Sequence, residues 1–136
     1  MANSVAVEFC GSYIHVKESG VFELAAPRAK SFWGRLKEIC DELDSDTVLI
    51  EANSMDLEVD TMSAFDAGVS ASEIVNNPTI AICSKDYRPH EIAEFFKTVA
   101  INRGAHVEFF TDLHNAVDWL GVDTAPSNGK GGAAAA

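Results

Sequence analysis

The 136 residues predict a single α/β domain: a mixed sheet of four or five strands, with an N-terminal hairpin and crossover helices mainly on one face. Two observations carry this. The runs TVLIEA at 47–52 and TIAICS at 79–84 are almost continuously apolar, as strands buried on both faces of a sheet are. Each strand-like run is followed by a segment whose apolar residues return every three or four positions, and strand followed by helix is the order of parallel strands joined by crossovers. The length suffices for one core and is too short for two.

The elements follow in order. Val5 to Phe9 and Tyr13 to Lys17 alternate and are rich in β-branched and aromatic residues, with Cys10-Gly11-Ser12 between them, which predicts a hairpin. Val21 to Leu24 extends the second strand past a kink at Ser19-Gly20 or leads toward the first helix. Pro27 suits a first helical turn, and Phe32, Leu36, Ile39, Cys40 and Leu43 then share one face. Lys30, Arg35, Lys37, Glu38, Asp41 and Glu42 make the opposite face charged. After the strand at 47–52, residues 53–60 read as an acidic connector. A weaker helical pattern through Met62, Phe65, Val69 and Glu73 or Ile74 ends before Asn76-Asn77-Pro78. After the strand at 79–84, Pro89 opens a helix on whose face Ile92, Phe95, Phe96, Val99 and Ala100 fall, with Gly104 as its stop. His106 to Phe110 is a last strand. Thr111 is placed to cap a final helix with Leu113, Ala116, Val117 and Leu120 on its face, and Gly121 ends it. The domain is thus expected over residues 1–122, and the Gly-, Ser- and Ala-rich stretch 123–136 reads as a flexible tail or cloning remnant.

Charge narrows the function classes. Lys plus Arg number 10 against 21 for Asp plus Glu, a formal net charge of −11 that repels nucleic-acid phosphates and anionic membrane surfaces. No apolar run is long enough to span a bilayer, and MANSVAVEFCGSY lacks the basic start and apolar core of a secretion signal, so a cytoplasmic location is expected. Cys10, Cys40 and Cys83 are odd in number and widely spaced, which predicts reduced, buried thiols rather than disulfides or a zinc site.

Phe110-Thr111-Asp112 and Ala116-Val117-Asp118-Trp119-Leu120, preceded by Ile80-Ala81-Ile82-Cys83-Ser84 and the helix with Phe95-Phe96, resemble the closing segment of small bacterial STAS-like domains. Those domains are related to anti-sigma-factor antagonists and CRAL-TRIO lipid-binding domains, and the order of elements over residues 5–121 agrees with theirs. The resemblance implies that fold. It also implies a position for regulated phosphorylation at the turn entering the second helix, where antagonists carry an Asp-Ser-Ser-Gly-like motif. Asp60-Thr61-Met62-Ser63 stands there, with Thr61 as positional counterpart and Ser63 a less exact one; the family's following Gly is absent and the flank is acidic.

Each candidate site has a plainer reading beside it. A phosphate on Thr61 or Ser63 adds about two negative charges at a helix N-terminus. Asp or Thr before a helix is also an ordinary cap, and Asp56, Glu58 and Asp66 would repel an added phosphate. Asp56, Glu58 and Asp60 alternate, so an extended loop could converge them on calcium or magnesium; a solvated acidic loop meeting a basic partner is the simpler outcome. Lys85 and Arg88 lie between a buried strand and a helix start, the crevice where open α/β sheets bind ligands, and could hold a carboxylate or phosphate. No glycine-rich phosphate loop accompanies them.

His90-Glu91-x-x-Glu94 lacks the second histidine a zinc-protease helix needs. His15, His106 and His114 are isolated in sequence, and no nucleophile elbow occurs, so no catalytic, metal or cofactor site is expected. Trp33, Trp119, Phe95 and Phe96 could line a lipid pocket or simply pack; Trp33, at the edge of its helix face, could present an exposed surface to a partner. The expectation is a non-enzymatic regulatory or interaction module that binds another protein of basic surface through Asp56, Glu58, Asp60 and Asp66. The alternative is a lipid or small-molecule carrier with a cavity between helices and sheet. Homo-oligomers through the edge of the hairpin are compatible with either.

Overall fold

A computed structural model describes residues 5–23, 27–57 and 59–121. The stretch 123–136, Leu24 and Glu58 lie outside the described residues. The elements are β1 (Val5–Phe9), β2 (Ile14–Glu23), α1 (Pro27–Leu43), β3 (Thr47–Asp56), α2 (Thr61–Ser72), β4 (Thr79–Ser84), α3 (Glu91–Asn102), β5 (His106–Phe110) and α4 (Leu113–Leu120). One five-stranded sheet runs β1-β2-β3-β4-β5, so sequence order is spatial order. β1 pairs antiparallel with β2, and β2, β3, β4 and β5 are parallel, which is the expected mixed sheet.

Parallel neighbours joined in sequence must be linked by crossovers, and crossovers of one hand between successive strands put their helices on one side. The main core shows this. Val16, Val48, Ile50, Ile80, Ile82 and Val107 of the sheet pack there with Trp33 and Leu36 of α1, Ala67 and Ala71 of α2, and Ala93 and Phe96 of α3. α4 follows the last strand, is no crossover, and packs on the other face, where Ala116 meets Tyr13, Leu49, Ala81 and Cys83.

Two strands run longer than their patterns suggest. β2 bends between Glu18 and Val21 and continues to Glu23, and β3 continues with it to Asp56 through the pairs Val21↔Ser54, Phe22↔Met55 and Glu23↔Asp56. Residues 53–56, read as connector, are therefore strand. Their polar composition conceals this because an adjacent strand, not an apolar pattern, holds them.

The apolar face of α2 also differs from the expected one. Large residues suggested Met62, Phe65 and Val69, but the buried side is Ala64, Ala67, Gly68, Ala71 and Ser72. A Cβ placed on Gly68 would lie 2.8 Å from Val99 Cβ and 3.0 Å from the Phe96 carbonyl oxygen, so α2 and α3 approach too closely for any side chain there. Small residues face the core and the large ones are turned outward. Trp33 is likewise buried at 2% exposure, not displayed, because Phe22, Phe32 and Phe96 surround its indole with centroids 5.1–6.2 Å away. Its Nε1–H meets no acceptor among the described residues.

The caps settle two boundaries. Asp112, not Thr111, caps α4, its Oδ1 accepting from the N–H groups of His114 and Asn115. Gly121 ends that helix in the left-handed region at φ 69°, as its sequence position suggests. The Gly68 contact yields a prediction. Alanine in place of glycine inside a helix normally gains about 1 kcal/mol, whereas overpacking costs about 1–3 kcal/mol. Gly68→Ala is therefore expected to lower the urea midpoint despite its better helix propensity, and a raised midpoint would show that the two helices can part.

Candidate partner-binding site at the start of the second helix

Parallel strands deliver their C-terminal ends to one edge of the sheet, and the loops that leave that edge carry most of the sequence candidates. β3 ends at Asp56, and the chain from Met55 to α2 alternates. Met55, Leu57 and Val59 pack against the main core, while Asp56 is half-buried and Asp60 exposed; Glu58 lies outside the described residues. This is the strand period continuing past the last ladder pair, with its polar side outward.

Asp60 is the N-cap of α2. Its backbone is extended (φ −81°, ψ 168°) and its Oδ1 accepts the Ser63 N–H at 2.7 Å. The hydrogen bond from the Ser63 backbone, with a smaller one from its hydroxyl, holds the Asp60 carboxyl below its ordinary range. The carboxylate proposed as a cation ligand is thus engaged by its own helix. Thr61 is the exposed first residue of the helix, and Ser63 is half-buried one turn in.

Met62 and Phe65 stand out from this turn at 67% and 39% exposure, one helical turn apart, with Asp66 exposed beside them. The sequence placed both in the core, and they became surface when the Ala64–Gly68–Ala71 side took the contact with α3. The site therefore combines two large apolar side chains with carboxylates at Asp60 and Asp66. Scattered apolar residues are ordinary on surfaces, but here they share one turn and a charged rim.

Lys85 and Arg88 occupy the next loop along the same edge, both exposed. That loop is ordered by its own contacts: the Ser84 hydroxyl donates to Asp86 at 2.6 Å, and Tyr87 stacks on Phe109 with centroids 5.0 Å apart and planes 9° from parallel. At the start of α3, the Ile92 N–H donates to Nδ1 of His90, so an imidazole already takes one of the free amides an anion would need. Lys97 behind it is drawn by Glu108 at 3.1 Å and Glu94 at 3.4 Å. Burial alone would lower its pKa, and the two carboxylates outweigh that and raise it.

The aromatic residues do not line one cavity. Trp33 and Phe96 stack within the main core at 6.0 Å, whereas Trp119 of α4 packs against Phe110, on the opposite face of the sheet. A cleft of about 390 Å³ opens at the other end of the strands, lined by Asp41, Asp44 and Asp46 together with Phe9 and Val75.

Burial raises the Cys40 thiol to about 11, with the charges of Asp41 and Asp46 adding to it, and burial with Glu51 and Asp112 does the same for Cys83. Both thiols are buried, as expected. Cys10 is half-exposed, a departure from that expectation, because it sits in the hairpin turn at the sheet margin. Glu8, Cys10 and His15, distant from the edge just described, come within 4.8 Å of one another. Sequence spacing missed that cluster, since only the antiparallel register opposes Glu8 to His15.

No protein-family profile and no curated protein matches the sequence. Among solved structures, the chain is similar to an uncharacterized protein from the DUF3478 family with a SpoIIAA-like fold, from Shewanella loihica PV-4. The likeness has 17% identity and a TM-score of 0.46, and covers 87% of this chain and 93% of that one. The mixed α/β fold itself stands on the strand order and pairings described above. No helix among the described residues is long and apolar enough to cross a membrane.

A pH dependence follows from the cap. The folded-state pKa of Asp60 lies below its unfolded value, so the unfolded chain takes up the proton first as pH falls. The stability from this contact is complete above the unfolded carboxylate range and is lost as pH drops through the folded value. Asn also caps well but does not titrate. Asp60→Asn should therefore nearly keep the urea midpoint at neutral pH and flatten its decline toward acid; an unchanged acid limb would remove Asp60 as a contributor.

Proposed function

We propose that the protein is a non-enzymatic interaction module that docks a protein partner on the first turns of α2. The observation that carries this is the outward pair Met62 and Phe65, rimmed by Asp60 and Asp66. Apolar anchors supply binding energy when a partner desolvates them, and a charged rim selects and steers the partner. With a formal net charge of −11 on the chain, the partner is one whose contact surface is basic around an apolar pocket. Exposed Thr61 lies within the same surface, so a phosphate there would alter the charge the partner meets.

Capture of a partner from the cognate cell extract at low ionic strength, compared between wild type and two variants, tests the reading. Met62→Ser combined with Phe65→Ser is expected to abolish capture without lowering the thermal midpoint, because neither side chain belongs to the core. Asp60→Asn combined with Asp66→Asn is expected to weaken capture and reduce its salt dependence. A partner held equally by wild type and both variants would locate binding elsewhere, and the absence of any partner at low salt would remove the reading.

A further inference from the structure

The hairpin assembles a second group of side chains, on the face of the sheet opposite the three crossover helices and away from the α2 surface. In the β1–β2 ladder Glu8 is opposite His15, so both side chains leave the same face. Cys10, two residues beyond Glu8, follows on that side, and the turn holds it there: its N–H donates to the Tyr13 carbonyl at 2.8 Å, and Gly11 adopts φ 88°. A carboxylate oxygen of Glu8, the Cys10 sulfur and a ring nitrogen of His15 lie within 4.8 Å of one another. From β3, Glu51 reaches the same imidazole, with Oε1 3.0 Å from Nε2.

We propose that Glu8, Cys10 and His15 form a binding site for Zn²⁺, with Glu51 orienting the His15 ring. Thiolate, imidazole and carboxylate are the three ligand types zinc takes, and three protein ligands leave a fourth position open for water or a partner's side chain. Glu51 holds Nε2 of His15, so in the proposed site Nδ1 is the ligand atom, and a carboxylate on the other ring nitrogen fixes the tautomer and strengthens the ligand. The distances are close to those required. Tetrahedral zinc with bonds of about 2.0–2.3 Å sets its ligand atoms roughly 3.3–3.8 Å apart. The three atoms need to close by about 1 Å, which the exposed side chain of Glu8 can do by a change of rotamer.

Chemistry separates this site from the general acidity of the chain. Diffuse carboxylates attract magnesium and calcium as readily as zinc, whereas a thiolate and an imidazole favour the borderline-soft ion. Access is through Glu8 and Cys10, which are exposed and half-exposed, while the His15 side chain is 12% exposed. Cys10 is the half-exposed one of the three thiols, so its reagent reactivity reports on the site directly.

The test is titration of the reduced full-length chain with Zn²⁺, and with Co²⁺ as a spectroscopic probe, in an excess of Mg²⁺. One equivalent is expected to bind, with thiolate-to-cobalt charge transfer and tetrahedral cobalt bands, and to protect Cys10 from alkylation. Cys10→Ser and Glu8→Gln, both at the surface and expected to fold normally, should each weaken binding by about tenfold or more, and Glu51→Gln by about 10–100-fold. Competition by Mg²⁺, absence of the charge-transfer band, or equal affinity in Cys10→Ser would overturn the proposal. Loss of zinc binding leaves capture by the α2 surface untouched, so the two readings fail separately.

Discussion

Three crossovers of one hand between successive parallel strands can cover only one face of a sheet, and the rest of this molecule follows from that restriction. α1, α2 and α3 crowd onto the same side and must share it. Crowding is met at α2, where glycine and alanine replace larger side chains so that α3 can approach. Among the described residues, the opposite face carries one short helix, α4.

The two surfaces proposed to bind ligands follow from this arrangement. Because α2 gives its small side to α3, its large residues Met62 and Phe65 turn to solvent beside the Asp60 cap. On the face that α4 packs against, the strand register gathers Glu8, Cys10, His15 and Glu51 at the hairpin. The two surfaces lie on different faces, and each is framed by backbone already fixed by the ladder or a cap. A partner at either meets largely preformed geometry, which reduces the ordering cost of binding.

Much of the fold was legible in the residues. TVLIEA and TIAICS mark themselves as central strands because both their faces are buried, and both their starts and the end of TIAICS were placed correctly. Gly121 marked the end of α4 because only a left-handed residue suits that cap. Less was legible of the sites. Lys85 and Arg88 were correctly placed on the strand-end loop, yet His90 occupies the amide that drew attention to them. Trp33 looked like an edge residue because its burial comes from Phe22 and Phe96, on elements 11 and 63 positions away in the chain by residue number.

By itself, the sequence determined the strand and helix order, the hairpin and the glycine end of α4, because each of these depends on local periodicity or capping chemistry, whereas the starts of α3 and α4 fell at His90 and Asp112 and not at Pro89 and Thr111. Only the tertiary structure decided which side of α2 faces inward, how far β2 and β3 run together, and which polar residues meet. Those outcomes depend on the distance between α2 and α3 and on the register between strands. Periodicity tells that a helix has an apolar side, but a close neighbour can bury the small residues and expel the large ones. Register, likewise, joins Glu8 to His15 and His15 to Glu51 across 7 and 36 residues of chain, separations that no local pattern encodes.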